Sequence, residues 1–428
     1  MPLDTSTTPS PISIDEHLER ILTTVSPLPP TWVPLSRALN LTLAADVSAQ
    51  VDVPSFDNSA MDGYAVRRSD VVAANAANPA TLKVVADLPA GSAENPRLSN
   101  GEAARIMTGA AVPDDADCIV PIEDTDCGTD TVLIFRAPKP AAHIRRTATD
   151  VHHGQTVLTA GRVLGPRDLA AAAATGSSDV LVHPAPRVGV LSTGSELRAP
   201  GEPLSGGQIH DSNSLLLAAL VTQAGATAIQ LGSVLDDEDA LRAVLEEYAD
   251  EVDVFVTSGG VSVGAYDIVR HVLTPLGVWF GPVRMQPGKP QGFGRLPRAN
   301  SDGDSDSDSN GDGPIIFALP GNPVSVFVSF EAFVRPALLS LAGRSQISRD
   351  TVVATVTTGW QSPAARAQYM PAFVSVDEGG TPTVRPATSG GAGSYLVASL
   401  AHANALAFVP ENITDVHVGQ QLAVTLVA

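Results

Sequence analysis

Cysteine is nearly absent from this chain: Cys118 and Cys127 are the two among 428 residues. They form no CxxC pair, so no disulfide framework is indicated and both read as reduced thiols. Aromatic residues make up only 4% while hydrophobic residues reach 44%. A sizeable core is therefore expected, built mostly from aliphatic side chains. Positive charge is also scarce, with 26 Lys and Arg against 46 Asp and Glu and a net charge of −20. That balance argues against a broad basic face and hence against nucleic acid as a partner. It leaves room for a local basic pocket, and the acidic surface itself favours solubility. The opening "MPLDTSTTPSPISIDEH" has no apolar h-region. Uninterrupted apolar runs fall short of the roughly 18–20 residues that span a bilayer. A cytoplasmic protein with no membrane partner is the expectation.

The length suggests two to four domains. Residues 1–13 are rich in Ser, Thr and Pro and are expected to be disordered. "SIDEHLERILTTV" then reads as an amphipathic helix with Ser13 as N-cap and Glu16 completing a capping box. Residues 31–50 read as a second helix or a helix–strand connection. Together, 1–50 and 143–184 form a helical and extended linker domain. Residues 51–142 alternate short Val/Leu/Ile segments with Pro, Gly and Asn turns, a β-rich module. Residues 185–345 alternate strands such as "RVGVLSTG" and "DVFVTSGG" with helices such as "SNSLLLAALVTQAG". That alternation predicts a three-layer α/β domain on a parallel sheet, with ligands at the carboxyl ends of its strands. Residues 346–428 return to short strands and predict a small β-barrel or sandwich. The stretch 300–313, "NSDGDSDSDSNGDG", lacks the terminal Glu and flanking helices of a calcium loop. It reads as a solvated acidic insertion.

Chemistry concentrates in three glycine-bearing loops at strand ends: "STGSEL" (192–197), "TSGGVSVGAYD" (257–267) and "ALPGNPVS" (318–325). Small residues where a helix begins leave backbone N–H groups free to hold an anion. "MQPGKPQG" lacks the first glycine and the Ser/Thr of a P-loop, and the loops contain no GxGxxG. Glu196 and Asp267 each close one of these loops. Carboxylates beside an anion site imply either an intervening cation such as Mg²⁺ or simple favouring of a helix N-terminus. In the β-rich module, "PSFDNSAMDGYAV" (54–66) and "ARIMTGAAVP" (104–113) stand out as polar loops. The residues alone leave Asp57, Asn58, Asp62 and Gly63 as turn formers.

"FDNSAMDGYAV", "RIMTGAAVP", "VGVLSTGSEL", "GQIHDSNS", "VTSGGVSVGAYD", "PGKPQGFG" and "LPGNPVSVFVSFEAFVRP" occur in one order. Together they closely resemble the molybdopterin molybdenumtransferase family, which includes bacterial MoeA and the C-terminal domain of gephyrin. The resemblance runs from about residue 14 to the C-terminus. It implies insertion of molybdate into adenylylated molybdopterin with release of AMP, dependent on Mg²⁺. It also implies an elongated homodimer, with an active cleft between the α/β domain of one subunit and the "DNSAMDGYA" domain of the other.

By the same resemblance, Asp62, Thr108, Glu196 and Asp267 would be catalytic. Glu196, Asp267 and Asp150 would be metal ligands. Gly194, Ser195, Ser258, Gly259, Gly260, Ser262 and Gly264 would hold phosphates. So would Lys289 and Pro290 of "PGKP", and Pro320, Gly321, Asn322 and Pro323 of "LPGNP". Two departures are visible. "RRTATD" (145–150) stands where the family usually shows "GED", and Gln286 stands where many members carry a second lysine.

The chemistry agrees with the loops: a multiply charged phosphate ligand suits N–H cradles plus a lysine, and carboxylate-held Mg²⁺ would polarise the phosphoryl group. Partners implied are the pterin substrate and, among proteins, the molybdopterin adenylyltransferase and molybdoenzymes. Two alternatives remain. Molybdopterin adenylyltransferases share "SGGVSVG"-like loops but are typically single short domains. A non-catalytic scaffold is the other alternative, although nothing here resembles gephyrin's additional N-terminal domain.

Overall fold

Ser13 opens the first helix, Ile14–Thr24, as its capping box predicts. Ser13 Oγ accepts from the Glu16 N–H at 3.1 Å, and Glu16 Oε2 accepts from the Ser13 N–H at 2.6 Å. The computed structural model describes residues 9–261, 267–297, 313–388 and 393–427. Most of the acidic insertion therefore lies outside the described residues, as do the first eight residues. Residues 9–13 are more ordered than expected. The Ile12 N–H donates to Pro282 O at 3.1 Å, and Ile12 O accepts from the Arg284 N–H at 2.8 Å. Ile12 also packs on the main core, which offsets the ordering cost of a polar segment.

The chain divides into two compact units. One comprises Met1–Thr31, Asn40–Ala44 and Val182–Ala428; the other comprises Trp32–Leu39 and Ala45–Leu181. The first unit is built on a six-stranded sheet. Its strands run Thr227–Val234, Arg187–Thr193, Val254–Ser258, Ile315–Leu319, Pro290–Arg295 and Trp279–Pro282 in spatial order. The first four pair in parallel, as the alternating pattern predicts. The last two pair antiparallel, so the sheet is mixed. That hairpin escapes sequence reading because "WFGP" and "PQGFGR" carry the Pro and Gly that normally mark loops.

Side-chain alternation explains the three layers. Val188, Val190, Val254, Val256 and Phe317 face a core shared with helix Asn213–Gln223 and the long helix from Pro323. Leu191, Phe255, Ile316 and Ala318 face the opposite core, against helices Glu238–Tyr248 and Ile268–Leu273. The helix Pro323–Leu341 contains a π-helical turn at Phe330–Val334. Its 19 residues are long and apolar enough to cross a membrane by length and composition, yet 78% of its apolar window is buried in the protein, as a core helix would be.

In the same unit, strands Thr351–Val356, Ala367–Val376, Pro382–Pro386, Ala405–Val409 and Gln421–Leu426 form a closed barrel. The Ala367–Val376 strand pairs with both Pro382–Pro386 and Ala405–Val409, which closes the ring. Small inward residues such as Ala354, Ala372, Ala405 and Ala407 fit so narrow a barrel.

The second unit carries a five-stranded sheet. Its strands run Cys118–Pro121, Gly63–Val66, Glu102–Ile106, Ala80–Leu88 and Thr131–Ile134 in spatial order. Helix Pro166–Ala174 forms where "RDLAAAAATG" predicts it. Residues 31–50 contain no α-helix, only a single 3-10 turn at Leu35–Arg37 between short strands. Cys118 is buried and Cys127 exposed, and both are free thiols. Burial pushes the Cys118 thiol up to about 12.

Candidate active site

At the carboxyl end of the parallel strands lies a cavity of about 880 Å³. Gly194 and Glu196 reach it from the end of strand Arg187–Thr193. Ser258, Gly259, Gly260 and Asp267 reach it from the end of strand Val254–Ser258. Pro320, Gly321, Asn322 and Pro323 line it from the loop that opens the long helix. Lys289 and Pro290 come from the antiparallel hairpin. The sequence-predicted loops of this unit thus converge on one cavity, built wholly within the unit. Ser262 and Gly264 lie outside the described residues.

Backbone geometry explains the glycines of the central loop. Gly259 has φ +99°, and a Cβ there would sit 2.6 Å from Thr193 O. Gly260 has φ +63°, and its Cβ would meet Val269 Cγ2 at 2.8 Å. No side chain fits either place, so the loop stays as bare backbone against the neighbouring strand end.

The "STGSEL" loop differs from expectation. It leads into the short strand Leu197–Arg198, paired with Ile209–His210, and the helix begins only at Asn213. Glu196 therefore does not sit at a helix start, and helix-dipole stabilisation does not explain it. Its carboxylate lies over Gly194 instead, where a Cβ would meet Glu196 Oε2 at 2.7 Å. Ser195 is tied to Asp236: Asp236 Oδ2 accepts from the Ser195 N–H at 3.0 Å.

Four residues that sequence reading passed over belong to this site. Asp211 and Asp236 line the cavity beside Glu196 and Asp267. Asp211 is buried and anchors a serine cluster. Its Oδ2 accepts from Ser214 Oγ at 2.5 Å, and its Oδ1 accepts from Ser192 Oγ at 3.1 Å. Ser192 Oγ lies 3.0 Å from Ser258 Oγ, so the ends of two strands and the start of a helix share one network. Asn213 Nδ2 donates to Gly321 O at 2.7 Å, joining that helix start to the "PGNP" loop. Gln291, buried beneath the lysine turn, donates through Nε2 to Gly288 O at 2.6 Å and to Ser329 Oγ at 2.8 Å. The signal for Asp211 and Asn213 was present in "GQIHDSNS"; Asp236 and Gln291 carry none beyond their types.

Among the described lining residues, Lys289 alone carries a fixed positive charge. Gln286, where a second lysine would be usual, instead accepts through Oε1 from Arg366 Nη1 at 2.8 Å. Among the described residues, no three of His, Cys, Asp and Glu cluster closely enough to hold a metal ion by themselves. Mg²⁺ commonly takes one or two protein carboxylates and completes its shell with water and substrate phosphates. Oxygen donors at Glu196 and Asp267 suit an ion held that way.

Asp62, Thr108 and Asp150 lie in the other unit. The first two are brought together: Asp62 Oδ1 accepts from both the Thr108 N–H and Thr108 Oγ1 at 2.7 Å. The Thr108 N–H, followed by its hydroxyl, holds the Asp62 carboxyl below its ordinary value. Asp57, taken from sequence as a turn former, binds Arg146 and the Thr147 N–H and hydroxyl. It thereby ties "FDNSAMDGYA" to "RRTATD". Asp150 ends that second loop, exposed, with its N–H donating to Val53 O at 3.0 Å.

Fold and cavity define a multidomain α/β protein with a ligand-sized cavity at the carboxyl edge of its sheet. Residues 12–176 match "MoeA N-terminal region (domain I and II)", 189–340 "Probable molybdopterin binding domain" and 353–427 "MoeA C-terminal region (domain IV)". Molybdopterin molybdenumtransferase 2 of Mycobacterium tuberculosis is 42% identical over 419 residues, covering 96% of this chain and 98% of the relative. Molybdopterin molybdenumtransferase of Haemophilus influenzae is 32% identical over 417 residues, covering 96% and 98%. The crystal structure of the MoeA molybdopterin biosynthesis protein from Pyrococcus horikoshii superposes with a TM-score of 0.78 at 30% identity, covering 97% of this chain and 99% of that one. The chain belongs to the molybdopterin molybdenumtransferase family and is, as such, a transferase of molybdenum cofactor biosynthesis.

Proposed function

We propose that this protein inserts molybdate into adenylylated molybdopterin, releasing AMP, in a reaction that depends on Mg²⁺. The observation that carries the reading is the convergence of the glycine loops, Glu196, Asp267 and Lys289 on one cavity. The backbone N–H groups of Gly260, Gly321 and Asn322 would hold phosphate oxygens, while the Gly259 N–H donates to Leu319 O at 3.0 Å and ties the two loops together. Lys289 would neutralise part of the phosphoanhydride charge. Glu196 and Asp267 would hold the divalent ion, and the chemistry it would supply there is Lewis-acid polarisation of the adenylyl phosphate. Attack of water on the adenylyl phosphorus would break the phosphoanhydride into AMP and the pterin's terminal phosphate, and the two dithiolene thiols would then take molybdate in exchange for one of its oxygens, which leaves as water with their two protons. The serine cluster on Asp211 keeps the cavity floor in place, so little reorganisation accompanies the reaction.

We further propose that the protein acts as a homodimer in the cytoplasm. Asp62 and Thr108 of one subunit would serve the cavity of the other, as the family resemblance implies. The test is reconstitution from purified adenylylated molybdopterin and molybdate, read out by activating a cofactor-free molybdoenzyme. Activation that needs this protein, molybdate and Mg²⁺ supports the reading. Pyrophosphate release from ATP and molybdopterin, without molybdenum insertion, would replace it with the adenylyltransferase alternative.

A further inference from the structure

The cavity wall mixes glycines, acids and short hydroxyls with prolines and aliphatic side chains such as Leu197, Ile209 and Val261. Among its described residues only His210 and Tyr395 carry an aromatic ring. Tyr395 does not come from the α/β sheet. It comes from the barrel portion of the chain, between strands Pro382–Pro386 and Ala405–Val409. Its neighbour Ser394 is fixed to the long helix's first turn, where the Val324 N–H donates to Ser394 O at 3.1 Å. Tyr395 thus follows a residue tied to the start of that helix, yet it remains 72% exposed. A large aromatic side chain lining the cavity, next to an anchored residue, is placed to cover a flat ring.

We propose that Tyr395 is a specificity-determining residue that stacks on a planar heteroaromatic ring of the bound substrate. The inference rests on the reaction proposed above, since that substrate carries two such rings, pterin and adenine. A phosphate cradle and a lysine recognise charge but not the groups the phosphates join. Stacking supplies that recognition without a hydrogen-bond code, because every such ring presents a π-face. Losing one ring–aromatic contact weakens binding roughly tenfold or more by analogy with stacked bases.

Tyr395→Ala and Tyr395→Phe decide the matter. In the molybdenum insertion assay, Tyr395→Ala is expected to raise KM about tenfold while kcat stays within about twofold. Tyr395→Phe, which keeps the ring, restores KM. Thermal midpoints should match the parent protein, since the side chain is largely exposed. Calorimetric titration with AMP and, separately, with molybdopterin shows which ring is covered. Weakened binding of either ligand in Tyr395→Ala, rescued by Tyr395→Phe, supports the contact. Unchanged binding of both, or equal loss in Phe and Ala, overturns it. If the parent protein inserts no molybdenum, the reaction assignment fails, and the two titrations still decide the ring contact.

Discussion

Ser195 and Asp236 hold each other through a reciprocal pair of hydrogen bonds. The Ser195 N–H donates to Asp236 Oδ2 at 3.0 Å, and the Asp236 N–H donates to Ser195 Oγ at 3.3 Å. The pair pins the "STGSEL" loop to the end of the neighbouring parallel strand, 41 residues away in sequence. It acts beside the Ile209 N–H, which donates to Glu196 O at 3.0 Å, in fixing the position of Glu196. Asp236→Ala is therefore expected to lower kcat/KM roughly 10- to 100-fold, as loss of a positioning contact does. The fold should lose no more than about 1–2 kcal/mol, since the pair is exposed. Steady-state kinetics beside a denaturant titration separates the two effects.

Among the described residues of the central loop, Gly259 bears the tightest backbone approach. Gly259→Ala places a methyl 2.6 Å from Thr193 O at φ +99°. Strain of about 1–3 kcal/mol is expected, relieved by moving the loop away from the strand end. Activity should fall further than stability, because the N–H groups of that loop shift with it. Comparing Tm and kcat for this variant with those of Gly277→Ala tests the point. Gly277 shares a positive φ of +87°, but a Cβ there meets nothing within 4 Å.

Much of this was legible from sequence, for identifiable reasons. "RVGVLST" and "DVFVTS" read as buried strands because both faces of a parallel sheet are covered, which demands continuous apolar runs. Ser13 and Glu16 announced a helix start through purely local chemistry. The antiparallel hairpin was hidden because its stability comes from pairing with Ile315–Leu319, not from its own Pro- and Gly-rich residues. Asp211, Asp236 and Gln291 were hidden for a related reason. An isolated polar residue becomes part of a site only when a distant element folds against it. Asp57 and Arg146, 89 positions apart, make the same point.

His17 sets a pH limit on the fold. It is 1% exposed, with ring centroids 4.6 Å from Phe333 and 5.0 Å from Trp279. Burial, aided by the Arg20 charge, lowers its pKa to about 3. The folded value lies below the unfolded one, so the unfolded chain binds the extra proton between them. The stability conferred by neutral His17 is complete above about pH 6.5 and is lost as pH falls toward 3. The slope from this residue approaches about 1.4 kcal/mol per pH unit at most. Urea unfolding of the parent and of His17→Phe between pH 7 and 4.5 should show a shallower pH dependence in the variant.

Mixed dimers test where Asp62 acts. Asp62→Asn and Asp267→Asn subunits, each expected to be inactive alone, are unfolded together and refolded. If the cavity of one subunit uses Asp62 of the other, each mixed dimer keeps one intact site, and random pairing returns roughly a quarter of parent activity. No recovery would place Asp62 and Asp267 in the same subunit's site.

Molybdenum insertion at Asp267 and its cavity is read out by the AMP released per molybdenum inserted, in single turnover with adenylylated molybdopterin, molybdate and Mg²⁺. The parent protein should release one AMP per molybdenum. Asp267→Asn should lower the rate by about a hundredfold or more, with an unchanged melting curve. A near-parental rate in Asp267→Asn, or molybdenum insertion without AMP release, would contradict that assignment.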